Sequence, residues 1–144
     1  GYQIYVLDGD NIRFGLSADL GFTPADRTEN IRRIGEVAKL FADAGVVVIT
    51  AFISPYRDDR NRARAIAPHQ FHEVFIKADL STCETRDPKG LYAKARNGEI
   101  EDFTGVSAPY EEPTDANLII DTGAQNVDQS VSKLLDYVSL NFKS

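Results

Sequence analysis

A short stretch near the start of the chain, IYVLDGDNIR at residues 4–13, joins an apolar run to a cluster of polar side chains. Asp8, Asp10, Asn11 and Arg13 follow directly after four residues typical of a buried strand. Ligands of parallel α/β sheets bind beyond the carboxyl ends of the strands, so this cluster is a candidate ligand site. A simpler alternative is that Asp8 caps a helix. Both interpretations stay open on the residues alone.

Two arginines and an aromatic ring are expected on the same edge of the sheet. Phe22, Arg27 and Asn30 lie near the start of a predicted long helix, and Arg27 and Asn30 share one face of it because they are three residues apart. Together with Arg13, this set suits a bidentate clamp for a phosphate or sulfate group beside a stacked ring. The alternative is that the arginines are solvated surface residues.

A second strand end adds a hydroxyl group to this edge. The apolar, β-branched run at 46–53 predicts a central parallel strand covered by helices on both sides, and it ends at Ile53 and Ser54. Ser54 is a candidate contact for a phosphate, or it caps the helix that follows. Asp121, Thr122 and Gly123 follow the last predicted strand and are expected at the same edge.

Alternating strands and helices position these residues. The pattern predicts strands at 4–7, 46–53, 72–78 and 117–122, and helices that begin after Thr23 and cover 57–66, 80–86 and 127–142. Thr23 is the predicted N-cap of the long helix and Gly45 its C-terminal stop. An apolar stripe from Val127 to Phe142 is expected on one face of the closing helix. The alternation indicates an α/β fold with a mainly parallel sheet.

One long segment interrupts this alternation. Residues 87–116 mix charges, glycines, prolines and aromatics, and they are too long for a passive connection. We interpret them as a functional lid with one short helix over 90–97.

Composition narrows the classes of protein. The chain has 144 residues, a net charge of −6 and a pI near 4.9, which argues against a nucleic-acid or membrane-surface binder. Its single cysteine, Cys83, excludes an internal disulfide and fits a reducing, cytoplasmic compartment, and we expect it to be a packing residue. His69 and His72 are spaced for a shared metal ion, but the strand-like run after them argues against one.

Six motifs occur in an order and spacing that resemble the adenylylsulfate kinase (APS kinase) family. These motifs are LDGDNIRFGL, LGFTPADRTENIRRIGEVAKLFADAG, FISPYRDDRNRAR, CETRDPKGLYAKARNGEI, FTG and PYEEP. The resemblance covers nearly the whole chain. It implies a three-layer P-loop kinase fold and transfer of the γ-phosphate of ATP, with Mg²⁺, to the 3′-hydroxyl of adenylyl sulfate. The product would be 3′-phosphoadenylyl sulfate (PAPS).

The resemblance also implies roles for individual residues. Asp8 and Asp10 would bind magnesium or orient and deprotonate the 3′-hydroxyl, Ser54 matches a serine assigned a phosphoserine intermediate in some members, and Lys89 would lie near the transferred group. The residues implied to hold adenylyl sulfate are Asp10, Asn11, Arg13, Phe22, Arg27, Asn30, Ile53, Ser54, Lys89, Gly90, Leu91 and Phe103. Phe22 and Phe103 would sandwich its adenine. Arg86 and Gln125 would contact ATP.

One expected motif does not occur in the sequence. Kinases of this kind hold phosphates on a G-x-x-x-x-G-K-[ST] loop, and none is present in the 144 residues. We therefore expect one kinase domain over 1–144 that lacks the first strand, the P-loop and the first helix. Such a chain would leave apolar surface exposed. It would need that loop for turnover.

Two functions are consistent with these residues. The first is an adenylylsulfate kinase, standalone or fused to an ATP sulfurylase, for which the family implies a homodimer. The second is a non-catalytic domain that binds PAPS or adenylyl sulfate and regulates an ATP sulfurylase. A kinase for another acceptor, such as gluconate or shikimate, is a weaker third, because it would not need Phe22 and Phe103.

Overall fold

In a computed structural model, which describes residues 1–142, the chain consists of two compact units. Unit 1, Gly1–Phe71, contains β1 (Ile4–Asp8), α1 (Gly9–Arg13), α2 (Pro24–Asp43), β2 (Val47–Ala51) and α3 (Arg57–Ile66). Unit 2 begins at His72 and contains β3 (Val74–Lys77), α4 (Leu80–Arg86), α5 (Leu91–Arg96), β4 (Leu118–Asp121) and α6 (Val127–Asn141).

Each unit is built on a parallel pair of strands. In unit 1, β1 pairs with β2 from Ile4 opposite Val47 to Asp8 opposite Ala51. In unit 2, β3 pairs with β4 in the same direction. Since parallel strands require a crossover connection, each pair is joined through helices. The predicted α/β fold with parallel strands is confirmed.

The long helix α2 begins and ends where its sequence predicts. The Thr23 side chain accepts a hydrogen bond from the Asp26 amide at 3.2 Å, and Pro24 occupies the first turn, where an amide is not needed. Gly45 follows the helix with φ of +82°, a left-handed conformation that glycine adopts without a steric penalty. Ile31 and Ile34 of α2 pack with Leu7 and Ile12 into the core of unit 1.

Helix α3 docks on α2 through one polar and one close apolar contact. The Thr28 hydroxyl donates to the buried Asp59 carboxylate at 2.9 Å. At Gly35 the helices approach so closely that an added Cβ would lie 3.0 Å from Cδ1 of Ile66. The Thr28 contact holds the start of α3 and the Gly35 contact holds its end, so the whole helix is fixed against α2.

Helices of unit 2 carry their own caps. The Asp79 side chain accepts from the Thr82 amide at 2.7 Å at the start of α4. Asn126 and Gln129 form a reciprocal capping box at the start of α6. The short helix predicted within the lid is confirmed as α5.

One packing expectation is wrong, and one predicted apolar stripe is only partly covered. Strand β2 was expected to be covered on both faces, but Ile49 is 45% exposed, because α2 covers only part of the strand among the described residues. On α6, Val127, Val131 and Leu135 are exposed, because the helix packs against β4 along only part of its predicted apolar stripe.

Exposure is common to the strands of both units. Apolar strand residues more than 40% exposed are Ile4, Tyr5, Val6, Ile49, Ile76 and Ile119. The prediction of exposed apolar surface is therefore confirmed.

Candidate functional site

The end of β1 turns directly into a short helix that the sequence analysis did not predict. Asp8 is the N-cap of α1, and its Oδ1 accepts hydrogen bonds from the amides of Asp10 and Asn11, both at 2.9 Å. Asn11 completes the capping box, because its Oδ1 accepts from the Asp8 amide at 3.2 Å. The capping interpretation of Asp8 is thus confirmed. It leaves Oδ2 of Asp8 without a hydrogen bond from the described residues.

The Phe22 ring is in contact with the guanidinium group of Arg13. Cζ of Arg13 is 4.2 Å from the centre of the Phe22 ring, within the range of a cation–π contact. Nη1 of Arg13 also donates to the carbonyls of Leu20 at 3.2 Å and Gly21 at 2.8 Å. Phe22 is 59% exposed, so it remains accessible for stacking.

Arg27 and Asn30 are buried on the face of α2 beside this ring. Arg27 is 9% exposed and donates from Nε to the Phe22 carbonyl at 3.1 Å. Asn30 is 5% exposed, and its Oδ1 accepts no hydrogen bond from any residue within 1–142. A buried polar atom without a partner is unfavourable, so it marks a place where a ligand can complete the hydrogen bonding.

The loop after β2 is held by an arginine that the sequence analysis did not single out. Nη1 of the buried Arg60 donates to the Ser54 carbonyl at 2.7 Å. Helix α3 has Tyr56 as its N-cap and no side-chain capping bond, so the alternative in which Ser54 caps it is wrong. Ile53 is 55% exposed next to Ser54. No signal identified Arg60, since it lies in a charged run that resembles a solvated helix.

In unit 2, Arg86 is anchored to the end of β4. Its Nη1 donates to the Thr122 hydroxyl at 2.9 Å and its Nη2 to the Thr122 carbonyl at 2.5 Å. Gln125, three residues further along the same loop, has a buried Oε1 that accepts no hydrogen bond within the described chain. These two predicted ATP-binding residues therefore belong to one small region.

The start of the segment predicted to be a lid, residues 87–116, is held by an acidic residue that was not predicted. The Asp87 carboxylate accepts from the amides of Tyr92 and Ala93, both at 3.1 Å, and so caps α5. Burial alone would raise the pKa of Asp87, but the hydrogen bonds from these amides and that of Leu91 lower it. The D-P-x-G order at 87–90 is a turn signal that could have identified it. Gly90, with φ of +66°, precedes the helix.

Phe103 contacts another residue of the lid. Its ring lies edge-on to that of Tyr92, with ring centres 5.0 Å apart. Burial raises the pKa of Tyr92 to about 12, and a hydrogen bond with Cys83 adds to this. Cys83 is a half-buried free thiol.

The other predicted residues lie at exposed positions. Asp10 lies at the start of α1 and Lys89 in the lid, and both are exposed. Leu91 is 38% exposed at the start of α5. Within residues 1–142 no group of three or more acidic, histidine or cysteine side chains could hold a metal ion. His69 and His72 are therefore not part of such a group. None of the helices in that range is long and apolar enough to cross a membrane.

Together these features define an α/β protein in which an exposed aromatic residue, two arginines and an unpaired buried amide oxygen form a candidate ligand site in unit 1. The family model for adenylylsulphate kinase matches residues 1–121, which contain every predicted site residue except Gln125. Among curated relatives, the adenylyl-sulfate kinase of Bacillus licheniformis is 60% identical over 139 residues, covering 96% of this chain and 71% of that protein. That of Prochlorococcus marinus is 62% identical over 136 residues, covering 94% and 68%.

Similar solved structures are also APS kinases. An APS kinase of Mycobacterium tuberculosis, in complex with AMPPNP and APS, has a TM-score of 0.89 and 46% identity, with 96% of this chain and 82% of that chain covered. A hexameric APS kinase from Thiobacillus denitrificans has a TM-score of 0.71 and 30% identity, covering 97% of this chain and 23% of that one. The chain belongs to the adenylylsulphate kinase family, and its activity class is phosphotransfer.

Proposed function

We propose that this chain supplies the acceptor site and lid for transfer of the γ-phosphate of ATP to the 3′-hydroxyl of adenylyl sulfate. The observation that carries this is the group formed by the exposed Phe22 ring, the buried Arg27 and the unpaired Oδ1 of Asn30. Adenylyl sulfate offers a base for stacking and an anionic phosphosulfate, so its chemistry matches this group. The complexed relative supports the same substrate class.

Base binding would depend on Phe22. A nucleobase stacked on an aromatic side chain contributes about 1–3 kcal/mol. Phe103 is the second ring that the family resemblance implies for this base, and the Tyr92 ring lies edge-on to it. Ser54 and Ile53 would contact the same nucleotide, with the Ser54 carbonyl oriented by Arg60.

The acids at the end of β1 would serve the reacting hydroxyl. Asp10 is exposed at the first turn of α1, where a carboxylate can accept the 3′-hydroxyl proton, a contribution of about 10²–10⁴-fold. Asp8 fits a magnesium ligand, because Mg²⁺ uses one or two carboxylates together with water and substrate phosphates. Its Oδ2 is available while Oδ1 holds the helix. Bound Mg²⁺ would neutralise charge on the transferring phosphoryl group.

The lid of unit 2 would hold ATP and exclude water. Arg86 presents a guanidinium plane fixed by Thr122, which suits stacking on the adenine of ATP. Gln125 Oε1 would accept a hydrogen bond from that base. Lys89, Gly90 and Leu91 would close over the transferred group, and exclusion of water there prevents simple hydrolysis of ATP.

Turnover would also need a phosphate-binding loop. Kinases of this kind hold the transferred phosphates on a G-x-x-x-x-G-K-[ST] loop, and the 144 residues do not contain that motif. The second candidate is a regulatory domain that binds adenylyl sulfate or PAPS without turnover. The missing G-x-x-x-x-G-K-[ST] motif is the one observation that favours it.

Binding of adenylyl sulfate tests the acceptor site directly. We expect calorimetry to show binding to the chain, and Phe22→Leu to weaken it about 5- to 150-fold through lost stacking. Phe14→Leu is the matched control, since Phe14 is also in unit 1, at the end of α1, and is 89% exposed, and it should leave affinity unchanged. No binding by the wild-type chain, or equal losses for both variants, would refute the proposal.

A coupled assay with ATP and adenylyl sulfate separates the two candidates. PAPS formation by the protein that carries the phosphate-binding loop would support the kinase. Binding without PAPS formation would favour the regulatory domain.

Assembly and location follow from the same proposal. We propose a homodimer in the cytoplasm, alone or fused to an ATP sulfurylase, and light scattering on the purified protein would test the dimer. The relative from Thiobacillus denitrificans, of which this chain covers only 23%, supports the existence of such domains within longer chains.

A further inference from the structure

Two arginines fix three consecutive carbonyl groups at the end of the loop that precedes α2. Arg13 Nη1 donates to the carbonyls of Leu20 and Gly21, and Arg27 Nε donates to that of Phe22. Hydrogen bonds from charged donors are shorter and stronger than neutral ones. The backbone that carries the Phe22 ring is therefore held from two directions.

The ring itself is contacted by the same two groups. Cζ of Arg13 lies 4.2 Å from the Phe22 ring centre and Cζ of Arg27 lies 5.9 Å from it. A guanidinium at 4.2 Å is close enough to stack on the ring. Arg13 thus restrains both the backbone and the side chain of Phe22.

Burial and the neighbouring charge of Arg27 both disfavour the charged form of Arg13. Burial lowers the pKa of Arg13, the nearby positive charge of Arg27 lowers it further, and Asp26 opposes both effects. The Asp26 carboxylate also accepts a hydrogen bond from Thr23 at 2.8 Å, so its charge is shared with the helix cap. Two neighbouring cations beside an exposed ring suit a ligand that brings a negative charge next to a flat base.

We propose that Arg13 is a positioning residue, which sets the plane of Phe22 for stacking on the base of the acceptor nucleotide. The inference rests on the proposed function, because it requires a base at Phe22. Arg13 would then increase the affinity for the nucleotide only by orienting the Phe22 ring. A direct ligand of the phosphosulfate would instead contribute whether or not the ring is present.

A double-mutant cycle distinguishes these two roles. We expect Arg13→Met to weaken adenylyl sulfate binding about 3- to 30-fold, the range of a cation–π contact, and to have almost no further effect in Phe22→Leu. Arg13→Lys keeps the charge but loses the planar, two-carbonyl contact, and it should resemble Arg13→Met. Arg32→Met is the matched control on α2, where Arg32 pairs with Glu29 at the surface, and it should bind like wild type.

The choice of ligand sharpens the comparison. AMP carries the base without the sulfate, so a positioning role predicts the same loss for AMP and adenylyl sulfate on Arg13→Met. Three results would each overturn the inference. Arg13→Met could weaken binding by the same factor with Phe22 intact and in the Phe22→Leu background, it could weaken binding of adenylyl sulfate but not of AMP, or Arg13→Lys could bind like the wild type.

A ligand-free measurement tests the restraint itself. Hydrogen exchange of the amides in residues 14–22 should be faster in Arg13→Met, and unchanged exchange would overturn the inference. Failure of the wild-type chain to bind either nucleotide would refute the proposed function. If the wild type binds but Arg13→Met weakens binding equally with and without Phe22→Leu, only the positioning role is refuted.

Discussion

Removing the Thr28 hydroxyl should destabilise unit 1 while leaving its packing nearly intact. In Thr28→Val the side chain keeps its shape, but the Asp59 carboxylate loses the hydrogen bond at 2.9 Å. The Asp59 side chain is only 4% exposed, and Nη1 of the largely exposed Arg62 lies 4.0 Å away. Water and Arg62 therefore replace the lost donor poorly.

The size of the effect follows from that burial. A hydrogen bond to a charged group contributes about 1.5–3 kcal/mol when its loss leaves the charge buried. Since domains are stable by about 5–15 kcal/mol, this is a substantial fraction. With a urea m-value of about 2 kcal/mol/M, the unfolding midpoint should fall by about 1 M.

Urea denaturation followed by circular dichroism measures this shift, and three variants control it. Thr28→Ser keeps the hydroxyl and should retain most of the stability. In an Asp59→Asn background the loss from Thr28→Val should shrink to about 1 kcal/mol, because a neutral amide is less costly to leave unpaired. If Thr28→Val were as stable as Thr28→Ser, the docking of α3 would not depend on this contact.

Three further predictions concern titration and the lid. Hydrogen bonds from Arg32 and then Arg33 lower the pKa of Glu29 to about 2. The stabilisation from these ion pairs is therefore present above pH 4.5 and is lost as the pH falls toward 2. An NMR titration of Arg32→Met should show a higher titration midpoint for Glu29 than in the wild type. The pKa of Asp87 is lowered, so its cap weakens as acid protonates it, and Asp87→Asn should speed hydrogen exchange at the Tyr92 amide. The Tyr92 phenol should ionise near pH 12 in an ultraviolet titration, and a midpoint unaffected by Cys83→Ala would contradict the contact between them.

Much of the fold could be predicted because local signals agreed with one another. Thr23, the periodic apolar residues and Gly45 together placed α2 within a residue or two. The helix α1 was missed because five residues are too few to show a helical period, and its cap, Asp8, also had a chemical interpretation. Exposure of β2 was missed because an apolar sequence indicates burial without identifying what covers it.

The candidate site was predicted in its members but not in its contacts. Arg13, Phe22 and Arg27 were named from a clamp pattern, yet their mutual contacts depend on how the chain returns between α1 and α2. Arg60 gave no signal, since nothing local distinguishes a buried arginine from its exposed neighbours in the same helix.

The exposed apolar strand faces have a practical consequence for anyone who handles this chain in solution. Flat apolar strands are sites for dye binding and self-association, and mutual repulsion between molecules is what opposes their contact. That repulsion comes from a net charge of −6, so it vanishes near pH 4.9 and is screened by salt. Dilute, low-salt buffer well above that pH should therefore keep the chain dispersed, and turbidity should rise steeply when either condition is relaxed.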